Sequence, residues 1–336
     1  MIRRNATCAQ LALFTTLFLS ATAQAQLFRA YLATDGSDAN PCSLAQPCRL
    51  LPAALTAVVD GGEIWMLDSG NYNSGPVNII KSVTILAVPG AVGSVVAAGG
   101  RAINIATAGV KVALRNLVIV PLPGGGGTGG IYMTNGLGLT VENCLVANVP
   151  DTGIHVNTGA SVMITDTTIR GGNTEGLRIE GGARATVTRA TISARTNAGI
   201  LVVGGPATTT TADIVDSTVA ANTSGVVAYS TSVNGVVKVS VRDSLISRNV
   251  DFGILAQSNG GAAPVTLSAS NNTTSNSITG IAAAGAGARV WVSGNTVSDN
   301  GTGLSNSLAV FESAGNNAVR NNTADTAGTI TVVPTK

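Results

Sequence analysis

Charge is scarce in this chain. Asp, Glu, Lys and Arg make up 11% of its 336 residues, against ~25% in an average globular domain. No stretch concentrates Lys or Arg, so the electrostatic footprint of nucleic-acid binding is missing. There is one histidine, and beyond one close cysteine pair no cluster of His or Cys; neither a zinc-type metal site nor a resident cofactor is expected. The aspartates are scattered, which leaves no converging set of carboxylates for calcium. Aromatic residues are only 3%. Beyond the first 25 residues no apolar run approaches the ~18 residues of a membrane helix, so no integral membrane segment is expected. No long stretch carries the i, i+3, i+4 apolar spacing of an amphipathic helix.

What fills the chain instead is Gly, at 41 residues, with Val, Ile, Thr, Ser, Asn and Ala. β-Branched residues with Gly and Asn favour strands and tight turns. The N-terminus is different. Arg3 and Arg4 precede an apolar stretch from Leu11 to Leu19, and Ala23-Gln24-Ala25 is a small-x-small cleavage pattern. Residues 1–25 therefore read as a secretory signal peptide, with a secreted or periplasmic product. Without Arg3 and Arg4 the 19 basic residues fall to 17, equal to the 17 acidic ones, so the mature chain is near neutral. An exported context permits a disulfide between Cys42 and Cys48; a metal site there would need two more ligands. Cys144 is left over, and is expected to be a buried structural thiol.

Periodicity is the strongest signal. Gly followed by an aliphatic residue recurs at Gly130, Gly153, Gly176, Gly199, Gly225, Gly253, Gly280 and Gly303, at spacings of 23, 23, 23, 26, 28, 27 and 23. Such a period, built of short strands and turns, predicts an all-β parallel β-helix solenoid. One coil cannot bury its own apolar side; stacked coils pair at ~4.8 Å and line a common core. Asn222, Asn249, Asn276 and Asn300 precede their glycines by three or four residues and predict an asparagine ladder along one turn.

An open solenoid end needs a cap. Tyr31–Thr34 predicts a strand, Pro52–Val59 a short capping helix stopped at Gly61, and Ile64–Leu67 the first core strand. The division expected is a signal peptide at 1–25, an N-terminal cap with the Cys42–Cys48 loop and first coil at 26–75, and β-helix coils with a C-terminal cap at 76–336. The last strand is expected at Thr329–Val333.

The segments Asp35-Gly36-Ser37-Asp38, Pro41-Cys42, Pro47-Cys48-Arg49 and Leu67-Asp68-Ser69-Gly70-Asn71-Tyr72 resemble the N-terminal region of exported proteins in the pectin-lyase-like superfamily. The Gly-aliphatic repeats resemble its right-handed β-helix repeat. The resemblance implies the fold for nearly all of the mature chain. It implies no single activity, because that fold hosts lyases, hydrolases, epimerases and non-catalytic surface proteins. The polygalacturonase-type Asp pair, Gly-His-Gly and Arg-x-Lys do not occur; the only histidine stands in Gly153-Ile154-His155-Val156.

In a β-helix the residue two after each repeat Gly points outward. That file reads Tyr132, His155, Arg178, Leu201, Val227, Leu255, Ala282 and Ser305; the next outward file contains Asn157, Glu180, Val203 and Tyr229. Tyr132, His155, Arg178 and Glu180 should therefore gather on adjacent coils. In one reading they form a saccharide or anion site, with His155 as acid or base, Arg178 on a carboxylate and Tyr132 stacked on a sugar ring. In the other they form a solvated face with an Arg178–Glu180 pair. Leu201, Val227 and Leu255 then make an apolar stretch that a loop, the C-terminal tail or a partner should cover. Asn143, Asp166, Arg189, Asp216 and Asp243 read as a solvated charge ladder. Two functions remain open: a non-catalytic exported β-helix presenting an elongated surface to polysaccharide or a cell-surface partner, or a polysaccharide lyase, hydrolase or epimerase acting near His155 and Arg178.

Overall fold

The computed structural model describes residues 26–232, 234–259 and 263–333. The expected signal peptide lies outside them. The described chain winds into three parallel sheets: sheet A of 13 strands from Leu27–Leu32 to Thr331–Val332, sheet B of 11 from Gly70–Asn71 to Ala318–Arg320, and sheet C of 11 from Val77–Ile79 to Ala324–Ala327. A regular coil runs C, A, B, as in Ile154–Asn157, Ser161–Thr165 and Thr168–Arg170. Among the described residues the only helix is Leu51–Ala57, and none is long and apolar enough to cross a membrane.

Stacking follows from the alternation. Ile131, Ile154, Leu177, Ile200, Val226, Ile254 and Ile281 pair in register down sheet C and are all fully buried. Each such side chain contributes about 1.5–3 kcal/mol on leaving water. The repeat glycine is required by close approach between coils. A Cβ on Gly153 would lie 2.7 Å from the Gly176 carbonyl oxygen and 2.7 Å from Ile169 Cγ2, closer than real Cβ atoms come.

Of the three corners of a coil, the two that flank sheet B each place one residue in the left-handed region. Asn116, Asn143, Asp166, Arg189, Asp216, Asp243 and Asn271 hold φ between 48° and 56° at the corner from sheet A to sheet B. The expected charge ladder is thus a file of corner residues, where Asn and Asp tolerate positive φ. Arg189 still donates to both carboxylate oxygens of Asp166 at 2.7 Å. Asn276 belongs to the second corner, at φ 57°. This corrects the predicted ladder: Ser277, one residue on, takes the inward place. Asn222 N–H donates to Asn249 Oδ1 at 3.1 Å, Ser277 N–H to Asn300 Oδ1 and Asn300 N–H to Asn322 Oδ1, both at 3.0 Å. A second buried ladder, unforeseen, runs through Ser217, Ser244, Asn272, Asn295 and Asn317 at the first corner. Cys144 heads that file. It is buried, and burial pushes its thiol up to about 11.

The N-terminal elements are displaced from the expected bounds. The first strand is Leu27–Leu32; the helix spans Leu51–Ala57, because Val58 is already extended and buried in the strand Val58–Met66. Gly61, at φ 78°, kinks that strand instead of ending the helix. Cys42 and Cys48 form the disulfide. Their loop pairs with the first strand: Tyr31 N–H donates to the Cys42 carbonyl at 2.8 Å, and Cys48 N–H to the Tyr31 carbonyl at 2.9 Å.

Candidate functional site

The strands Ile131–Met133, Ile154–Asn157 and Leu177–Glu180 lie side by side in sheet C. Their register aligns Tyr132 with His155, His155 with Arg178, and Asn157 with Glu180. All four expected residues therefore come together on the outer face. Glu180 is the hub. Its Oε1 lies 2.6 Å from His155 Nε2, and its Oε2 accepts from Arg178 at 2.9 Å. Burial alone would raise the Glu180 pKa, but the hydrogen bonds from His155 and Arg178 and the Arg178 charge outweigh it and hold the carboxyl down to about 2. Burial likewise opposes the charge on Arg178, and Glu180 with Glu175 more than restores it, so its pKa is raised. The Tyr132 and His155 rings are tilted at 40° with centroids 4.7 Å apart.

A second tier of residues was not foreseen. The Arg101 guanidinium lies 4.0 Å over the Tyr132 ring and 3.4 Å from Asp151 Oδ2. Glu175 is buried, accepting from Thr152 Oγ1 at 3.2 Å and Asn197 Nδ2 at 3.0 Å, with Arg178 at 3.7 Å. Beneath them Arg195, only 2% exposed, donates to the backbone carbonyls of Asp151 at 2.7 Å, Glu175 at 2.8 Å and Thr174 at 3.2 Å, and also to that of Gly171. Burial lowers its pKa to about 10. The signal for the missed acids is positional: Asp151 stands two residues, and Glu175 one, before a repeat glycine. That corner position is as close to the outer face of sheet C as the strand itself.

Arg101, Arg178 and Arg195 balance Asp151, Glu175 and Glu180, so with His155 neutral the cluster carries no net formal charge. The Glu180 carboxylate against His155 Nε2 fixes the orientation of the ring. Arg101 and Arg178 provide two partly exposed cations, with the Tyr132 ring between Arg101 and His155. Among the described residues no group of His, Cys, Asp and Glu is arranged to hold a metal ion.

Further along the file Arg178 pairs with Leu201, then Val227, Leu255 and Ala282 follow. Ala198, Val227, Leu255 and Ala282 pack with Leu201, Tyr229, Phe252 and Ala284 of the same sheet. The C-terminal strands extend sheets C and A rather than crossing this face.

A stacked, three-sheet parallel coil with one polar cluster on an outer face defines a solenoid of the pectin-lyase-like fold. The chain belongs to the right-handed β-helix region family, which matches residues 101–268. No curated protein sequence matches it. Among solved structures it is similar to the A-module of the Azotobacter vinelandii mannuronan C-5 epimerase AlgE4, with TM-score 0.57 and 14% identity over 82% of this chain and 90% of that one. It is also similar to XylC in complex with xylose, with TM-score 0.59 and 9% identity over 81% and 69%. At these identities the likeness is one of fold.

Proposed function

We propose that this is an exported β-helix protein that binds polysaccharide, or another cell-surface partner, along sheet C without turning it over. One observation carries the reading: Glu180 engages both His155 and Arg178. A ligand meets a pre-formed polar surface, on which the guanidinium groups of Arg101 and Arg178 and the side chain of Tyr132 are partly exposed. The acids are already satisfied by protein donors. The disulfide suits an exported protein, and residues 1–25 are read as its signal peptide. The helix Leu51–Ala57 with the Cys42–Cys48 loop is read as the N-terminal cap. The fold's occurrence in an epimerase of mannuronan and in a protein solved with xylose makes carbohydrate the first class to test.

The second reading is a lyase, hydrolase or epimerase. The 2.6 Å contact between His155 and Glu180, beside Asp151 and Glu175, favours it, because a carboxylate-held imidazole near further carboxylates suits proton transfer. Purified protein screened against uronate and neutral polysaccharides separates the two. Binding that weakens in Arg178→Ala and Tyr132→Ala, with no new ultraviolet absorbance, reducing ends or epimer, is the expected result. Turnover abolished by His155→Ala would replace it with the catalytic reading.

A further inference from the structure

Asparagine followed by glycine is prone to losing its side-chain amide, because glycine has no Cβ to hinder attack by its own nitrogen. Three such steps have both residues described: Asn135-Gly136, Asn234-Gly235 and Asn300-Gly301. The fold treats them differently. Gly235 N–H donates to the Ser232 carbonyl and Gly301 N–H to the Ser277 carbonyl, both at 3.0 Å. Asn300 is also buried in its ladder, where Nδ2 donates to the Thr274 carbonyl at 3.1 Å and to Asn322 Oδ1 at 3.0 Å. Both of those glycine nitrogens are thus turned toward another residue's carbonyl. At the remaining step Gly136 N–H points at Oδ1 of Asn135 itself, 2.9 Å away. Asn135 is exposed and Gly136 is buried. The preceding coil pins this turn on both sides. Thr134 N–H donates to the Ile105 carbonyl at 2.9 Å, and Leu137 N–H to the Val110 carbonyl at 2.8 Å.

We propose that Asn135 is a site of spontaneous deamidation. The contact between Gly136 N–H and Asn135 Oδ1 brings together the two ends of the cyclic imide that the reaction forms. Hydroxide takes the proton from the Gly136 nitrogen, which then bonds to Cγ of Asn135. The Cγ–Nδ2 bond breaks, and ammonia leaves after taking a proton from water. Water next opens the imide in one of two ways. Breaking the new N–Cγ bond gives aspartate on an unchanged backbone. Breaking the original peptide bond between residues 135 and 136 gives isoaspartate, with the backbone rerouted through Cγ. In sum an amide and water become a carboxylic acid and ammonia. Either product adds one negative charge three residues from Tyr132. Isoaspartate also lengthens the backbone by one carbon beside Gly136. A Cβ on that glycine would already lie 2.5 Å from Met133 Cε and 3.1 Å from the Val110 carbonyl, so the longer backbone has no room there. Isoaspartate therefore loosens the turn between Ile131–Met133 and Gly138–Glu142, and aspartate leaves it intact.

Purified protein held at mildly alkaline pH, native and in urea, tests this, with peptide mass mapping to follow conversion of amide to acid at the three steps. In the native protein Asn135 should convert about tenfold faster or more than Asn234 or Asn300, the advantage of a held near-attack geometry. In urea the three rates should converge as the slow pair accelerates. Hydroxylamine, which cleaves cyclic imides, should cut the aged native chain between residues 135 and 136. Asn135→Gln should abolish that cut, because the longer side chain must close a larger ring. Circular dichroism of this variant should match the parent, since the position is exposed. Equal protection of all three steps by folding, conversion at Asn234 ahead of Asn135, or a cut that persists in Asn135→Gln would each overturn the proposal.

Discussion

Arg195 ties the candidate site to the stack beneath it, and its removal is the sharpest test of how the site is built. Its guanidinium donates to four backbone carbonyls, those of Gly171, Thr174, Asp151 and Glu175. These carbonyls belong to two successive corners into sheet C. Arg195→Ala leaves them buried with fewer donors and opens a cavity. A hydrogen bond from a charged donor contributes ~1.5–3 kcal/mol, and an abandoned buried partner costs a further ~1–3 kcal/mol. Against this stands the cost of burying the cation itself, seen in a pKa lowered to about 10. Water entering the cavity recovers part of the rest. The net expectation is a loss of about 3–5 kcal/mol, the range seen when one partner is taken from a buried charged network. Gly172 lies against the same network: a Cβ there would clash with Arg195 Nη1 and with the Val149 carbonyl, at a φ of 118° that is itself strained for alanine, so the loss of stability on its substitution sums all three effects. Gly172→Ala should displace the guanidinium with the arginine still present. Urea unfolding followed by circular dichroism measures both, with Arg195→Lys as the variant that keeps charge but loses the fork. A loss under about 1 kcal/mol for Arg195→Ala would refute the idea that this side chain holds the two corners.

Glu180→Gln should change the acid limb of stability. The folded pKa of Glu180, about 2, lies below its ordinary 4.5, so its stabilising contribution is complete above about 4.5 and disappears as pH falls towards 2. Urea midpoints measured at neutral pH, pH 4 and below pH 3 should fall less steeply with acid in the variant than in the parent; equal slopes would mean the contact with His155 and Arg178 does not persist in solution. In the ladder, Asn249→Ala removes the acceptor of Asn222 N–H and the donor to the Val219 carbonyl, at a cost of about 2–4 kcal/mol. Asn322→Ala, on the exposed last coil, should cost less than half as much in the same unfolding assay. Gly153→Ala should shift adjacent coils apart and destabilise more than Gly159→Ala, whose Cβ would have only one distant contact.

The fold was legible because a solenoid repeats its requirements. Ile154, Leu177 and Ile200 sit over one another, so the period of their glycines carries the architecture without knowledge of any single contact. Local bounds were less legible. Val58 and Val59 read as the apolar side of a helix, but Val58 ends it, because a β-branched residue at the start of a core strand is worth more paired with Leu27 than in a final helical turn. Asn276 shows the same limit at higher resolution. Counting back from the repeat glycine assumes equal corners, yet the left-handed residue stands five before the glycine at Arg248–Gly253 and only four before it at Asn276–Gly280. The left-handed corner takes the asparagine, and the ladder position falls to serine.

The site was half legible, for a related reason. Strand alternation identifies side chains that leave the face of a sheet, and it correctly assembled Tyr132, His155, Arg178 and Glu180. It says nothing of corners, where alternation stops. Asp151 and Glu175 enter from one corner, Arg101 from the coil before, and Arg195 from the ladder file in a place where later coils have Asn222 and Asn249. An arginine is longer than an asparagine and reaches two coils instead of one. That substitution in the ladder marks where the regular stack gives way to the polar cluster. Past it, Arg178 is followed by Leu201 and the file turns apolar. The face of sheet C thus has a charged half, tied together by Arg195 and Glu180, and an aliphatic half in which Ala198, Val227, Leu255 and Ala282 pack with their neighbours. A chain of sugar rings lying along the axis would meet ion-pairing groups first and an apolar shelf after them, so truncating the ligand from one end should weaken binding by charge and from the other by contact area. Salt would then weaken the binding of a ligand confined to the Tyr132–Arg178 half and leave the binding of one confined to the Leu201–Leu255 half nearly unchanged; equal salt dependence in both would mean the two halves do not act as separate surfaces.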